Sequence, residues 1–66
     1  MNLFVNKIPV QTSVQFLGQL MTELGKAQLS GIAVAVNQRV IPRSKWNEYT
    51  LQENDMITII SATQGG

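Results

Sequence analysis

The chain ends in Gly65-Gly66, and this pair is where its chemistry is most readily placed. Glycine has no Cβ, so two in succession can lie extended in a channel too narrow for any side chain. The α-carboxylate of Gly66 is then the only group left to react. Taken alone, the dipeptide could equally be a cloning scar or a frayed terminus, so the preceding residues decide how it is read. They include neither histidine nor cysteine. Without them there is no disulfide, thiolate nucleophile, Cys-based metal site or imidazole general base near neutral pH. The sequence also lacks a phosphate-binding glycine loop and any paired-carboxylate spacing. Its side chains are poorly equipped to catalyse anything, and an enzyme is not expected.

Composition narrows the partners. Net charge is +1 from five basic and four acidic residues. Lys7, Lys26, Arg39, Arg43 and Lys45 are scattered, without the dense basic stripe and exposed aromatics of a nucleic-acid footprint. Apolar runs are too short to span a bilayer, and Met1-Asn2-Leu3 does not open a signal peptide. A cytoplasmic location is expected, with no nucleic acid or membrane among the partners. At 66 residues the chain is near the lower size limit for a domain that folds without a staple. It reads as one domain over 1–61 and a flexible tail over 62–66.

Some seven elements must position that tail. Asn2 to Asn6 is rich in strand formers and closes in a turn at Asn6-Lys7; Ile8 to Gln11 can return beside it. Pro9 has no N–H to give, so this second strand belongs at a sheet edge. Thr12 is expected to cap a helix, with Gln15 completing a capping box. Val14, Leu17, Leu20, Met21 and Leu24 then share one helical face. Gly25 is placed to end the helix in a left-handed C′ position. Gly18, costly in a helix interior, implies close approach of another backbone.

Ile32 to Val36 alternates branched residues with alanines, as a strand with two unlike faces. Asn37-Gln38 is a turn candidate, Arg39-Val40-Ile41 a short return strand stopped by Pro42, and Ser44 the expected cap of one helical turn through Trp46 and Glu48. Trp46 and Leu51 are expected to anchor this loop, and Asp55 to form the turn before Met56. Met56 to Ile60 is apolar on both faces, which predicts a central strand covered on both sides. Together these make an α+β domain: a mixed sheet of four to five strands packed on one main helix, the ubiquitin-like β-grasp.

The chain resembles the ThiS family, the small sulfur carrier proteins of thiazole synthesis. The matching segments are Val36-Asn37-Gln38-Arg39-Val40-Ile41-Pro42-Arg43, Trp46, Leu51 to Asp55, and Ala62-Thr63-Gln64-Gly65-Gly66. Their order, their spacing and the short total length carry the resemblance together. Met1-Asn2-Leu3-Phe4-Val5 also looks like the first strand of ubiquitin. One departure is Gln38, where family members often place glycine after the turn asparagine, and it bears on the turn geometry alone.

The resemblance implies a protein substrate. A ThiF-like adenylating enzyme would use ATP and Mg²⁺ of its own to adenylate Gly66. A sulfur donor protein would convert the acyl adenylate to a thiocarboxylate, and thiazole synthase would take the sulfur. Elementary chemistry is compatible with this. An α-carboxyl of reference pKa about 3.5 is ionised in the cell and can attack the α-phosphorus of ATP, and the mixed anhydride is a good acylating group. Metal and cationic groups must come from the partner. The chain itself binds no cofactor or metal and is expected to be a monomer when free.

A carrier handled by two enzymes needs a docking face. With Leu3, Val5, Ile57 and Ile59 in the core, strand alternation turns Phe4 and Ile60 outward, and Ala35 with them. Phe4, Ala35 and Ile60 are therefore expected to form an exposed apolar patch that binds partners, with Gly65 and Gln64 read in the partner's channel. Other functions stay open from the sequence: a related carrier delivering sulfur to molybdopterin, a ubiquitin-like modifier attached to lysines, or a plain β-grasp binding module with an incidental tail.

Overall fold

A computed structural model describes residues 1–61. The chain runs β1 (Asn2–Val5), β2 (Ile8–Gln11), α1 (Leu17–Glu23), β3 (Ile32–Val36), β4 (Arg39–Val40), a 3-10 helix (Arg43–Glu48) and β5 (Met56–Ser61). The five strands form one sheet in the order β2-β1-β5-β3-β4. β1 and β5 are parallel, and the other neighbours are antiparallel. This is the α+β β-grasp arrangement, with β5 at the centre and the Pro9 strand at an edge, as the sequence predicts.

One face of the sheet is packed on α1. Leu3, Leu17, Leu20, Met21, Val34, Val36 and Ile57 are fully buried, each contributing about 1.5–3 kcal/mol of apolar burial. In register, Val5 lies beside Ile57 and Ile57 beside Val36, so three strands deliver branched side chains to one layer. Trp46 and Leu51 close the core at the side. The Trp46 indole N–H is satisfied by the Ile41 carbonyl at 2.9 Å. Arg43 lies over the Trp46 ring, 4.6 Å from its centroid, and its guanidinium donates to the carbonyls of Ala27 and Leu29. That ties the loop after α1 to the 3-10 helix.

The start of α1 differs from the sequence expectation. Thr12 caps nothing: its hydroxyl donates to Glu23 Oε1 at 2.6 Å and accepts the Val14 N–H at 3.3 Å. Helix begins only at Leu17, because the preceding segment is spoken for. Phe16 bridges Thr50, the Leu17 N–H donates to the Tyr49 carbonyl at 2.9 Å, and the Leu51 N–H donates to the Gln15 carbonyl at 2.8 Å. Gln19 Oε1, not Gln15, reaches back to the N–H groups of Gln15 and Phe16 at 2.9 and 3.0 Å. Long-range backbone pairing outcompetes the local cap.

The helix ends as predicted. Gly25 takes φ +75°, the Gly25 N–H donates to the Thr22 carbonyl and the Lys26 N–H to the Met21 carbonyl, which is a Schellman motif. Gly18 meets its expectation in part: a Cβ there would stand 3.3 Å from the backbone of Asn47 at Cα, but the nearest obstacle, at 1.9 Å, is the Asn47 side-chain Oδ1. Ser44, by contrast, caps nothing. The 3-10 helix starts from Pro42 without a side-chain cap, the fixed φ of proline setting its first turn two residues earlier.

Both hairpins close through two-residue turns in which every residue has positive φ: Asn6 51° and Lys7 71°, Asn37 52° and Gln38 73°. That is the type I′ geometry matching strand twist. Asparagine tolerates it; lysine and glutamine hold it against a steric cost of about 1–2 kcal/mol. Replacing Gln38 by glycine is therefore expected to stabilise the domain by about 0.5–1 kcal/mol, read as a rise in urea midpoint. Gly18→Ala should bring no such gain: the exposed Asn47 side chain can swing aside, but the remaining 3.3 Å approach to Asn47 Cα offsets the helix-propensity advantage of about 1 kcal/mol. Denaturant titration of the two variants checks both.

Candidate interaction face and the strand that carries the terminus

The expectation that β5 is covered on both sides is not met. Ile57 is buried against α1, whereas Met56 is 50% and Ile60 56% exposed, and Thr58 is exposed between them. A single seven-residue α-helix has only one sheet face to cover. The opposite face carries the outward-pointing side chains of all five strands. Their rows follow from the register: Pro9, Phe4 and Met56; then Val40, Ala35 and Thr58; then Ala33 beside Ile60.

Phe4, Ala35 and Ile60, the docking residues expected from sequence, thus share one face. Of the three only Ile60 is exposed; Phe4 and Ala35 are half-buried, Phe4 because Pro9 and Met56 flank it in register. The sequence reading missed Met56 and Val40, the latter 68% exposed. Met56 was recoverable, since it shares the parity of Ile60 along the strand. Gln64, Gly65 and Gly66 lie outside the described residues, as does the whole of the expected tail 62–66.

β5 leads directly into those residues, and it is gripped from both sides. On the β1 side, Phe4 N–H donates to the Asp55 carbonyl and Asn6 N–H to the Ile57 carbonyl, at 3.0 and 2.8 Å. β1 ends at Val5, but the Asn6 side chain extends its ladder by one rung, Oδ1 accepting the Ile59 N–H at 2.8 Å. On the β3 side, Asn37 Oδ1 accepts the Met56 N–H at 3.0 Å, and Asn37 Nδ2 donates to Asp55 Oδ1 at 3.0 Å. Asp55 Oδ2 in turn accepts the Gln52 N–H at 2.8 Å. Asp55 is thus the turn-former expected from sequence, and it also joins two turns that are 18 residues apart.

The charge on the open face is one-sided. None of the outward strand side chains is a carboxylate, while Lys7 stands in the turn that borders the face. Among the described residues no group of three or more His, Cys, Asp or Glu could hold a metal ion, and no helix is long and apolar enough to cross a membrane. The arrangement offers a binding surface with a strand leading out of it.

Comparison with known proteins gives this surface a context. A model of the ThiS family matches residues 4–66, a span that takes in all of the sheet but the first two residues of β1, and the final two glycines. Sulfur carrier protein ThiS of Escherichia coli (strain K12) is 33% identical over 52 residues, covering 79% of this chain and 77% of that protein. The crystal structure of the thiamine biosynthesis protein ThiS from Geobacter metallireducens superposes with a TM-score of 0.83 at 26% identity, over 100% of both chains. An NMR solution structure of a thiamine biosynthesis protein from the same organism gives 0.79 at 26% identity, over 100% of this chain and 88% of that one. The likeness therefore holds in sequence, in length and in the course of the backbone, and this chain belongs to the ThiS family.

Proposed function

We propose that this chain is a sulfur carrier for thiazole formation in thiamin biosynthesis, and that Gly66 is the residue that carries the sulfur. The observation that carries this reading is the central strand β5, which runs out of an open apolar sheet face toward a sequence ending in Gly65-Gly66. A partner seated on that face would receive the terminus in a fixed direction.

The chemistry is brief. An oxygen of the Gly66 carboxylate attacks the α-phosphorus of ATP, and pyrophosphate leaves. Sulfide-level sulfur from a donor then attacks the acyl carbon and displaces AMP, leaving a thiocarboxylate. A ThiF-like adenylating enzyme supplies the ATP site and Mg²⁺; thiazole synthase consumes the product. This chain contributes an unhindered terminus, in which Gly65 places no side chain against the channel wall and Gln64 is the first side chain the channel meets. It also contributes the docking face, where Phe4, Ala35 and Ile60 are joined by Met56 and Val40.

Intact mass after incubation with the adenylating enzyme, ATP and a sulfur source tests the assignment. A gain matching exchange of one oxygen for sulfur at Gly66 is expected. Deleting Gly66, or extending the chain beyond it, should abolish that gain without changing the thermal midpoint; normal loading of either variant would sink the assignment.

Ile60→Asp is the corresponding test of the face. Because Ile60 is 56% exposed, the substitution should weaken docking at least about tenfold, or 1.4 kcal/mol, while the thermal midpoint moves little. Phe4→Asp, at a half-buried position, should lose stability as well.

A further inference from the structure

Two turns flank the start of β5 on opposite sides, and between them lies a recess. It is lined by Lys7 from the β1–β2 turn, Asn37 and Gln38 from the β3–β4 turn, and Met56, Ile57 and Thr58 from β5, with a volume of about 290 Å³. Met56 and Thr58 are exposed, whereas the Ile57 side chain is buried on the helix side. The recess is therefore a feature of the uncovered face.

Its polar groups differ in one respect. The Asn37 amide is engaged at both ends, holding Met56 and Asp55. Asp55, the carboxylate next in the chain, is 9% exposed and spent on Asn37 and the Gln52 N–H. The side chains of Lys7 and Gln38 make no hydrogen bond or ion pair with the described residues. An ammonium on one wall and an amide on the other thus flank an apolar thioether and a hydroxyl, with no free carboxylate beside them. A carboxylate on a short stem suits that set: charged oxygens toward Lys7, a hydrogen bond from Gln38, methylenes against Met56.

We propose that this recess receives an aspartate or glutamate side chain of the adenylating enzyme when that enzyme covers the open face. The inference rests on the carrier reading above and adds to it a point of register: an acidic knob entering between the two turns aligns the partner along β5, the strand that leads to the terminus. The rest of the face is apolar, so the partner surface is apolar with one acidic group at the level of the turns. Pairing of this kind governs association rate and salt dependence more than the apolar contact does.

The test uses the full chain and its purified adenylating enzyme, with affinity and association rate measured at low and at physiological ionic strength. Lys7→Met, which keeps the aliphatic stem, should weaken binding about five- to tenfold at low salt and flatten the salt dependence. Gln38→Glu, which sets a carboxylate on the other wall, should weaken it by a similar factor through repulsion. Both residues are exposed, and thermal midpoints close to the parent will confirm that the variants fold. Ile60→Asp should weaken binding while leaving the salt dependence steep.

Parent-like affinity in both recess variants, with Ile60→Asp still defective, would overturn the recess proposal and leave the docking face standing. Parent-like affinity in all three would overturn the face as well. The carrier reading stands or falls separately, on the mass of Gly66.

Discussion

A sheet of five strands has two faces, and the described residues supply one α-helix of seven residues with which to cover them. Everything else in the molecule follows from how that shortage is distributed. The covered face takes the branched and long apolar residues, Leu3, Val34, Val36 and Ile57, against Leu17, Leu20 and Met21. The second face is left with smaller or fewer apolar groups, two alanines, a threonine and a proline among them. A chain this short cannot bury both. In place of a second helix it uses backbone pairing: the segment before α1 bridges the loop after the 3-10 helix, and Trp46 with Leu51 seals the side.

The same shortage explains which parts of the structure were legible in the sequence. Alternation in Ile32 to Val36, the capping glycine at Gly25 and the close-packing glycine at Gly18 are local signals with one physical solution each, and the structure follows them. Thr12 and Ser44 carry equally strong local signals that the fold overrides. Their rivals, Phe16 paired with Thr50 and Pro42 starting the 3-10 helix, are set by residues far away or by a fixed ring. No window of sequence around Thr12 contains Tyr49, whose carbonyl takes the first helical N–H.

The open face was half legible for a related reason. Parity along β5 places Met56, Thr58 and Ile60 together, but whether that face is covered depends on elements the strand itself does not encode. The doubly apolar pattern of Met56 to Ile60 was a sound sign of a central strand and a misleading sign of double cover. In a protein that docks, a partner surface stands in for the missing layer, so one pattern serves two states of assembly. The recess between the turns had no signal at all: Lys7 and Gln38 are 31 positions apart and acquire a shared neighbour only when β5 is inserted between their hairpins.

A bare apolar face invites a further hazard, which the two outermost strands address. β2 carries Pro9, which has no N–H to offer a stranger, and β4 is two residues long, ending at Val40 just ahead of Pro42. A growing fibril needs a continuous row of donors and acceptors on which the next chain can lay down. Here the sheet is sticky across its surface but blunt along its rims, so association is channelled face-on, into finite complexes, and the edge-on stacking that has no natural end is denied a template.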